Sequence, residues 1–187
     1  MTNKNITLRY IMESDMADYV KWTTTEVEWC EWDAPWENDD PWDDFMNWQK
    51  SLIGKRPERY AKLEIDTLDA PGAPGKHIGW VSSYFADDEE TKTTVGIDIP
   101  APACRRKGYG ENALTLFMAY LFEVEDVLYT QTWSGNFPMI GLAKKIGFVE
   151  VEREKDLREV NGQQYDALTF AITKADFFDR YPGLITC

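Results

Sequence analysis

The segment Arg105-Arg106-Lys107-Gly108-Tyr109-Gly110 separates a strand-like apolar run from an amphipathic helix. Before it, apolar residues occupy every second position, as in a strand; they are Val95, Ile97 and Ile99. After it, apolar residues recur at helical spacing; they are Ala113, Leu114, Phe117, Met118, Leu121 and Phe122. The glycines permit a turn with converging N–H groups, and a helix N-terminus attracts anions. The segment therefore predicts a phosphate-binding loop, to which three consecutive cations add positive charge.

A solvated basic turn would also fit this loop taken alone, but a second motif favours the phosphate-binding interpretation. Asn136 opens a predicted helix, and Pro138 suits its first turn. The helix has an apolar stripe, made by Ile140, Ala143 and Ile146, and Gly147 follows where a helix should stop. Ten residues separate Asn136 from the pair Gly147-Phe148.

Together, the two motifs resemble the GNAT acetyltransferase superfamily. In that family an R/Q-x-x-G-x-G/A loop holds the coenzyme A pyrophosphate, and an N-x(10)-G-F segment lies on the far side of the pantetheine. The ends of the chain resemble the subgroup of ribosomal-protein alanine and spermidine N-acetyltransferases; the matching residues are Ile6–Tyr10, Asp15, Tyr19, Trp22 and the stretch from Arg158 to Leu168. The resemblance implies a single acetyltransferase-like domain over residues 1–187 that uses acetyl-CoA as cosubstrate.

The pattern of elements predicts a mixed α/β (α+β) fold. Helices are predicted at 13–23, 41–52, 108–123 and 136–146, and strands at 5–10, 59–67, 76–85, 93–99, 126–132, 148–157 and 164–173. The breaker cluster at 69–75 predicts an antiparallel hairpin with a long tip. The order of elements predicts a central, mostly antiparallel sheet with one parallel pair in the middle, flanked by helices, and the resemblance implies that this pair splays apart.

Composition excludes several classes of function. A net charge of -13 argues against nucleic acid as a partner. The sequence contains neither an 18-residue apolar run nor a basic-then-apolar leader, which predicts a cytoplasmic protein without a membrane span. Cys30, Cys104 and Cys187 form no C-x-x-C pair, and His77 is the single histidine, so neither a disulfide framework nor a metal site is expected. The oligomeric state stays open, with a homodimer among the options.

The resemblance assigns the cofactor-binding residues. The backbone of Ile97 and Ile99 would contact the pantetheine arm, and one of their amides would polarise the thioester carbonyl. The other predicted contacts to coenzyme A are Arg105, Arg106, Lys107, Gly108, Tyr109, Gly110, Glu111 and Asn136. Ordinary sheet pairing for the two isoleucines, and a helix N-cap for Asn136, are the alternative interpretations.

Catalysis by this family requires an amine that has lost a proton, and the sequence departs from the family at each usual acid or base. Thr94 stands near the place of a frequent catalytic glutamate, Ala143 at that of a tyrosine, and Met139 at that of the subgroup's serine. The predicted catalytic residues are therefore Asp98, beside the expected thioester, and Glu31, with His77 and Asp33 as further candidates. A thiolate leaves with modest help, because a thiol has a pKa of about 8.5.

The acceptor is predicted to bind the segment between Lys21 and Lys50, which carries nine acidic residues and six tryptophans. An aromatic and acidic wall would attract an ammonium group; its members are Glu31, Trp32, Asp33, Trp36, Asp39 and Asp40. Alternatively, the tryptophans pack inward and the carboxylates are merely solvated. The wall predicts a cationic amine: a polyamine, an aminoglycoside-like compound or a basic peptide N-terminus.

Two functions remain open on the sequence. The first is an N-acetyltransferase that moves an acetyl group from acetyl-CoA to a primary amine by direct attack. The second is a non-catalytic acyl-CoA-binding module, which the departures at Thr94, Met139 and Ala143 favour. A nucleotide-binding α/β protein fits less well, because neither G-x-G-x-x-G nor G-x-x-x-x-G-K-[ST] occurs.

Overall fold

The computed structural model describes residues 1–3, 5–37, 42–56, 61–68 and 75–184. The strands are β1 Thr2–Asn3, β2 Ile6–Arg9, β3 Lys62–Thr67, β4 His77–Phe85, β5 Thr93–Asp98, β6 Val127–Trp133, β7 Val149–Val160 and β8 Gln163–Thr173. The helices are α1 Met16–Thr24, α2 Trp42–Leu52, α3 Tyr109–Leu121, α4 Phe137–Ile146 and α5 Lys174–Arg180. Short 3-10 turns occur at Glu13–Asp15, Glu28–Glu31, Pro35–Glu37 and Pro102–Cys104.

Every helix and strand predicted from periodicity is present, with ends shifted by a few residues. The predicted helix 13–23 begins as a 3-10 turn, and the α-helix starts only at Met16. The sequence analysis missed two elements, the two-residue strand β1 and the C-terminal helix α5. The start of α5 did carry a signal, because the Thr173 hydroxyl accepts a hydrogen bond from the Asp176 amide at 3.1 Å.

The strands follow the order β1-β2-β3-β4-β5-β6-β8-β7. The chain divides into two compact units: unit 1 contains 1–82 and 97–113, and unit 2 contains 83–96 and 114–187. Both β4 and β5 run from one unit into the other.

In unit 1, β1 to β4 pair antiparallel, as the predicted hairpin of β3 and β4 requires. The predicted hairpin tip at 69–74 lies outside the described residues. The end of β5 lies against β4 at Gly79, where a Cβ would come within 1.9 Å of the Asp98 carbonyl oxygen. Side chains of α1, β4 and the turn after α1 form an aromatic core; its buried members are Ile11, Tyr19, Trp22, Trp29 and Trp80.

In unit 2, β6, β8 and β7 pair antiparallel, while β5 and β6 pair parallel. The parallel register contains one pair, Thr94 with Tyr129, and the Thr130 hydroxyl adds a hydrogen bond to the Val95 carbonyl at 2.8 Å. The predicted fold class is therefore confirmed: a mostly antiparallel mixed sheet with a parallel pair in its middle. In the part of the chain that the structure describes, no helix is long and apolar enough to cross a membrane.

Candidate active site

The predicted phosphate-binding loop connects β5 to α3 and lies at the surface of unit 1. Arg106, Lys107 and Gly108 are exposed. Arg106 and Gly108 have left-handed backbone angles, with φ of 58° and 82°. A Cβ placed on Gly108 would meet no atom within 4 Å, so the space above the loop is open. A concave turn of this kind directs successive N–H groups toward one point.

The amides of the loop remain available to a ligand. Among the described residues, the backbone N–H groups of Arg106, Lys107, Gly108 and Gly110 donate to no other group of the chain. Helix α3 starts directly behind them, with the Gly108 carbonyl accepting from the Asn112 amide at 3.1 Å. Such a helix start carries a partial positive charge and unsatisfied donors. The loop therefore has the geometry of an anion site.

Arg105 lies in a different environment from its two basic neighbours. Its guanidinium donates to the Ile99 and Pro100 carbonyls, both at 2.8 Å, and to the Glu28 carboxylate at 2.5 Å. The structure thus places Arg105 as a brace between the end of β5 and the turn after α1. Exposed Arg106 and Lys107 are the cations that face solvent, whereas the predicted cofactor residues Tyr109, Gly110 and Glu111 form the half-buried first turn of α3.

The end of β5 carries the predicted thioester site. Ile97, Asp98 and Ile99 are half-buried, and the strand ends at Asp98, shortly before Pro100. Pro100 cannot donate to a sheet, which accounts for the end of the strand.

The pKa of the Asp98 carboxyl group is raised. Burial of the carboxyl group raises the pKa of Asp98 well above its ordinary value, and the nearby Asp33 carboxylate acts in the same direction. The Lys62 ammonium and a hydrogen bond from Trp80 oppose this increase in pKa. A carboxyl group with a raised pKa can take up a proton near neutral pH, as a general base must.

A buried polar network lies beside the aromatic core of unit 1. The Lys62 ammonium donates to Glu64 Oε1 at 2.9 Å, to Gln49 Oε1 at 2.7 Å and to the Tyr19 hydroxyl. The other Glu64 oxygen, Oε2, lies 2.9 Å from His77 Nε2 and accepts from the Tyr19 hydroxyl at 2.9 Å. His77 Nδ1 lies 3.2 Å from Asp18 Oδ2.

Within this network, Glu64 and His77 stabilise each other's charged forms. Burial alone would raise the pKa of Glu64, but the hydrogen bond from His77 and the Lys62 ammonium outweigh it and lower that pKa. Burial would lower the pKa of His77, yet the Glu64 carboxylate raises it overall. For Lys62, burial dominates and lowers the pKa despite Glu64. His77, predicted as a catalytic candidate, is therefore fixed in this network between Glu64 and Asp18.

The sequence analysis missed Lys62, Glu64 and Trp80. The strand register of the β3–β4 hairpin brings these three residues together. Glu64 is directly opposite Trp80, and Lys62 is opposite Ser82. A register shift between Ile65 and Asp66 brings His77 into the same group. The alternation of Lys62 and Glu64 with apolar residues was the available signal, but it is also typical of a strand with a solvated face.

The acceptor segment has both inward and outward aromatic side chains. Trp22 and Trp29 are buried, and Trp29 Nε1 donates to the Trp22 carbonyl at 2.9 Å. Trp32 and Trp36 are half-buried, whereas Glu31 and Asp33 are exposed. Asp39 and Asp40 lie outside the described residues. The interpretation of inward-packed tryptophans thus holds for Trp22 and Trp29, while the wall formed by the others stays a prediction.

The remaining predicted positions lie in unit 2. Asn136 is buried and caps α4, its side-chain oxygen accepting from the Met139 amide at 3.0 Å. Asn136 therefore has the N-cap role that the sequence analysis gave as an alternative interpretation. A contact from Asn136 to coenzyme A stays a prediction. The Thr94 hydroxyl donates to the Lys92 carbonyl at 3.1 Å, and Ala143 is fully buried in α4. Neither residue offers an acid or a base.

Cys30 and Cys104 are free thiols. Burial raises the pKa of Cys30 to about 11, and the nearby Asp33 carboxylate acts in the same direction. Within the described ranges, no cluster of three His, Cys, Asp or Glu residues could hold a metal ion.

Known structures have the same fold. A spermidine N-acetyltransferase from Vibrio cholerae, solved with CoA and spermine, matches with a TM-score of 0.70 and 19% identity over 94% of this chain and 99% of its own. A GNAT-family acetyltransferase from Bacillus anthracis has a TM-score of 0.72 and 16% identity, covering 94% and 98% of the two chains. The microcin C7 self-immunity acetyltransferase, solved with acetyl-CoA and AMP, has a TM-score of 0.69 and 20% identity, covering 91% and 93%.

The comparison with curated protein sequences gives no significant match. The comparison with family models matches residues 5–149 to the acetyltransferase (GNAT) domain. That range includes the predicted phosphate-binding loop, Asp98 and the Asn136–Phe148 motif. The family resemblance and the enzyme class predicted from the sequence are therefore confirmed, and the chain belongs to the GNAT acetyltransferase family.

Proposed function

We propose that the protein transfers an acetyl group from acetyl-CoA to the primary amine of a small cationic molecule or a peptide N-terminus. The observation that supports this most strongly is the loop of internally unbonded amides at Arg106, Lys107, Gly108 and Gly110, in the same unit as Asp98, whose pKa is raised. Such a pairing of an anion site with a base is what direct acetyl transfer needs.

The residues present fit acetyl-CoA. The N–H groups of the loop and the positive end of α3 suit the diphosphate, and the open space above Gly108 admits it. Arg106 and Lys107 add charge at the surface, and Arg105 keeps the end of β5 in place through Ile99 and Pro100. The bound cosubstrate supplies an acetyl thioester, whose carbonyl carbon accepts an amine and whose sulfur leaves as a thiolate.

Asp98 acts as the general base. It removes one proton from the acceptor's ammonium group, because an amine with a pKa near ~10 is protonated at neutral pH and cannot attack. As the N–C bond forms and the C–S bond breaks, the second proton passes from the nitrogen to solvent, and solvent supplies one proton to the sulfur. Asp98 then releases its proton to solvent before the next turnover. A backbone N–H of Ile97 or Ile99 stabilises the negative charge that develops on the carbonyl oxygen.

The acceptor is a cation, for reasons of both charge and geometry. The net charge is -13, and Glu28, Glu31 and Asp33 present carboxylates at the surface of the acceptor segment. The buried aromatic cage of Tyr19 and Trp80 already contains the Lys62 ammonium, at 4.8 and 4.9 Å from the ring centroids. An incoming ammonium group therefore binds the outer pair, Trp32 and Trp36.

The experiment is a turnover assay with acetyl-CoA and a panel of spermidine, kanamycin and a basic peptide. Acetylated product is followed by mass spectrometry, which identifies the modified amine directly. We expect product with at least one amine, and a decrease of about 10²–10⁴-fold in kcat for Asp98→Asn. Exposed Asp88→Asn is the matched control. Turnover of Asp98→Asn at the control's rate would contradict the role of Asp98.

The alternative is a non-catalytic acyl-CoA-binding module. It is favoured by the absence of an acid or base at Thr94 and Ala143, whose contacts are internal. The same assay separates the two functions. Coenzyme A binding by calorimetry together with no product from any amine in the panel would support the module and contradict the enzyme.

A further inference from the structure

Glu28 joins two parts of unit 1 that the proposed reaction uses. One of its carboxylate oxygens, Oε1, accepts from Trp32 Nε1 at 2.8 Å, and the other, Oε2, accepts from Arg105 Nη1 at 2.5 Å. Trp32 belongs to the acceptor segment, whereas Arg105 opens the predicted phosphate-binding loop. One side chain therefore links the segment proposed to hold the amine to the loop proposed to hold coenzyme A.

Arg105 continues this link to the end of β5. Its Nε and Nη2 atoms donate to the carbonyls of Ile99 and Pro100, both at 2.8 Å, while Nη1 donates to Glu28. The N–H groups of the planar guanidinium form a rigid fork, so the directions of the three bonds depend on one another. A shift of the Glu28 carboxylate therefore moves or breaks the bonds of Arg105 to the backbone where the thioester is proposed to lie.

The 3-10 turn that begins at Glu28 is anchored to the aromatic core. Trp29, the next residue, is 6% exposed, and its Nε1 donates to the Trp22 carbonyl of α1 at 2.9 Å. The Trp29 carbonyl accepts from the Trp32 amide at 3.0 Å. Glu28 and Trp32 thus project from a turn whose backbone is tied to the core, and the direction of the carboxylate is set by both of its partners.

An ionised carboxylate suits this place better than any neutral side chain of the same length. The hydrogen bond from Trp32 lowers the pKa of Glu28, and so does that from Arg105. A carboxylate accepts at both oxygens, whereas a glutamine accepts at one and would direct its NH2 group at the other donor. The side chains of Arg105 and Glu28 are 27% and 46% exposed, and an ion pair as exposed as this stabilises a fold little. Its larger effect is on geometry.

We propose that Glu28 is a positioning residue for the acetyl transfer: through Trp32 and Arg105, it holds the acceptor segment in register with the end of β5. The ring proposed to bind the ammonium group and the backbone proposed to polarise the thioester then keep a fixed separation. Direct attack depends on such alignment, because a misplacement of about 1 Å can lower a rate by about 10²-fold. This inference rests on the proposed function, and Glu28 itself touches no reacting atom.

The first test is the kinetic effect of Glu28→Gln, with exposed Glu13→Gln of the same unit as the matched control for charge. With saturating acetyl-CoA and an amine that the panel shows to be acetylated, we expect kcat to fall about tenfold or more. The Kd for coenzyme A and the midpoint of urea unfolding should match those of the control. A carboxylate that merely attracts the cation would instead raise the KM for the amine and leave kcat unchanged, which would overturn the inference.

A double variant tests whether Glu28 and Trp32 act together. Trp32→Phe removes the indole N–H and keeps an aromatic ring. Because the two side chains share one hydrogen bond, their effects on kcat should not be additive, and Glu28→Gln/Trp32→Phe should have the kcat of the slower single variant. A kcat that falls by the product of the two single effects would contradict the link.

A further measurement needs no turnover. The indole N–H resonance of Trp32, identified by its loss in Trp32→Phe, should shift when coenzyme A binds, and this shift should disappear in Glu28→Gln. No shift at saturating coenzyme A, or an equal shift in folded Glu28→Gln, would overturn the inference. If no amine of the panel is acetylated but the shift behaves as expected, the proposed transfer is wrong and the link through Glu28 remains. A failure of coenzyme A to bind, measured by calorimetry, would contradict both.

Discussion

Gly108→Val tests the proposed anion site with a control that the chain itself supplies. Gly108 has a φ of 82° and Gly162, in the turn between β7 and β8, has a φ of 78°. A Cβ at either position would meet nothing within 4 Å. Valine at both sites therefore carries the same backbone strain, roughly 1–3 kcal/mol for a left-handed β-branched residue, and no clash. Both variants should lose a similar amount of stability in urea unfolding.

The two variants should differ in coenzyme A binding, measured by isothermal titration calorimetry. Valine at 108 places two methyl groups where the diphosphate would approach the loop amides, and each charge-assisted hydrogen bond lost costs about 1.5–3 kcal/mol. We expect the Kd for coenzyme A to rise at least about tenfold in Gly108→Val. Gly162→Val should bind normally. Equal affinities in the two variants would refute the loop as the diphosphate site.

Three further predictions follow from the charges of unit 1. The double variant Arg106→Gln/Lys107→Gln should weaken coenzyme A binding more at low than at high salt, because both cations are exposed and screened; titrations at about 0.05 and 0.5 M salt check this. Lys62→Met should lower the free energy of unfolding by at most about 3–5 kcal/mol, because it removes the ammonium partner of the buried Glu64 carboxylate and leaves that group only His77 and Tyr19, and Lys62→Met/Glu64→Gln should recover part of the loss in urea unfolding. His77 has a raised pKa, so its stabilising effect is complete below the ordinary value of about 6.5 and is lost as the pH rises through the folded value. Between pH about 6 and 8, the unfolding free energy should thus fall more in the unsubstituted protein than in His77→Gln.

The sequence predicted the local backbone features of the candidate site, namely the turn before α3 and the helix start at Asn136. The loop from Arg105 to Gly110 and the cap at Asn136 are local features, in which glycine conformation and first-turn donors decide the structure. The direction of the Arg105 side chain is not set by local pattern, and its contact with coenzyme A stays a prediction. In the structure its guanidinium turns back to Ile99, Pro100 and Glu28.

The polar network could not be predicted, because it joins side chains that are far apart in the sequence. Tyr19 and Lys62 meet across 43 positions, and the register shift in the β3–β4 hairpin places His77 beside Glu64. Period-two alternation gives the faces of a strand but neither its register nor its bulges. The raised pKa of Asp98 likewise arises from burial, which a lone aspartate in a sequence does not reveal.

A crystal structure with bound acetyl-CoA tests the central claim most directly. The account predicts diphosphate oxygens within hydrogen-bonding distance, about 2.7–3.2 Å, of the backbone nitrogens of Lys107, Gly108 and Gly110, with the thioester at the end of β5 beside Asp98. Acetyl-CoA bound elsewhere, with these amides still facing solvent, would contradict it.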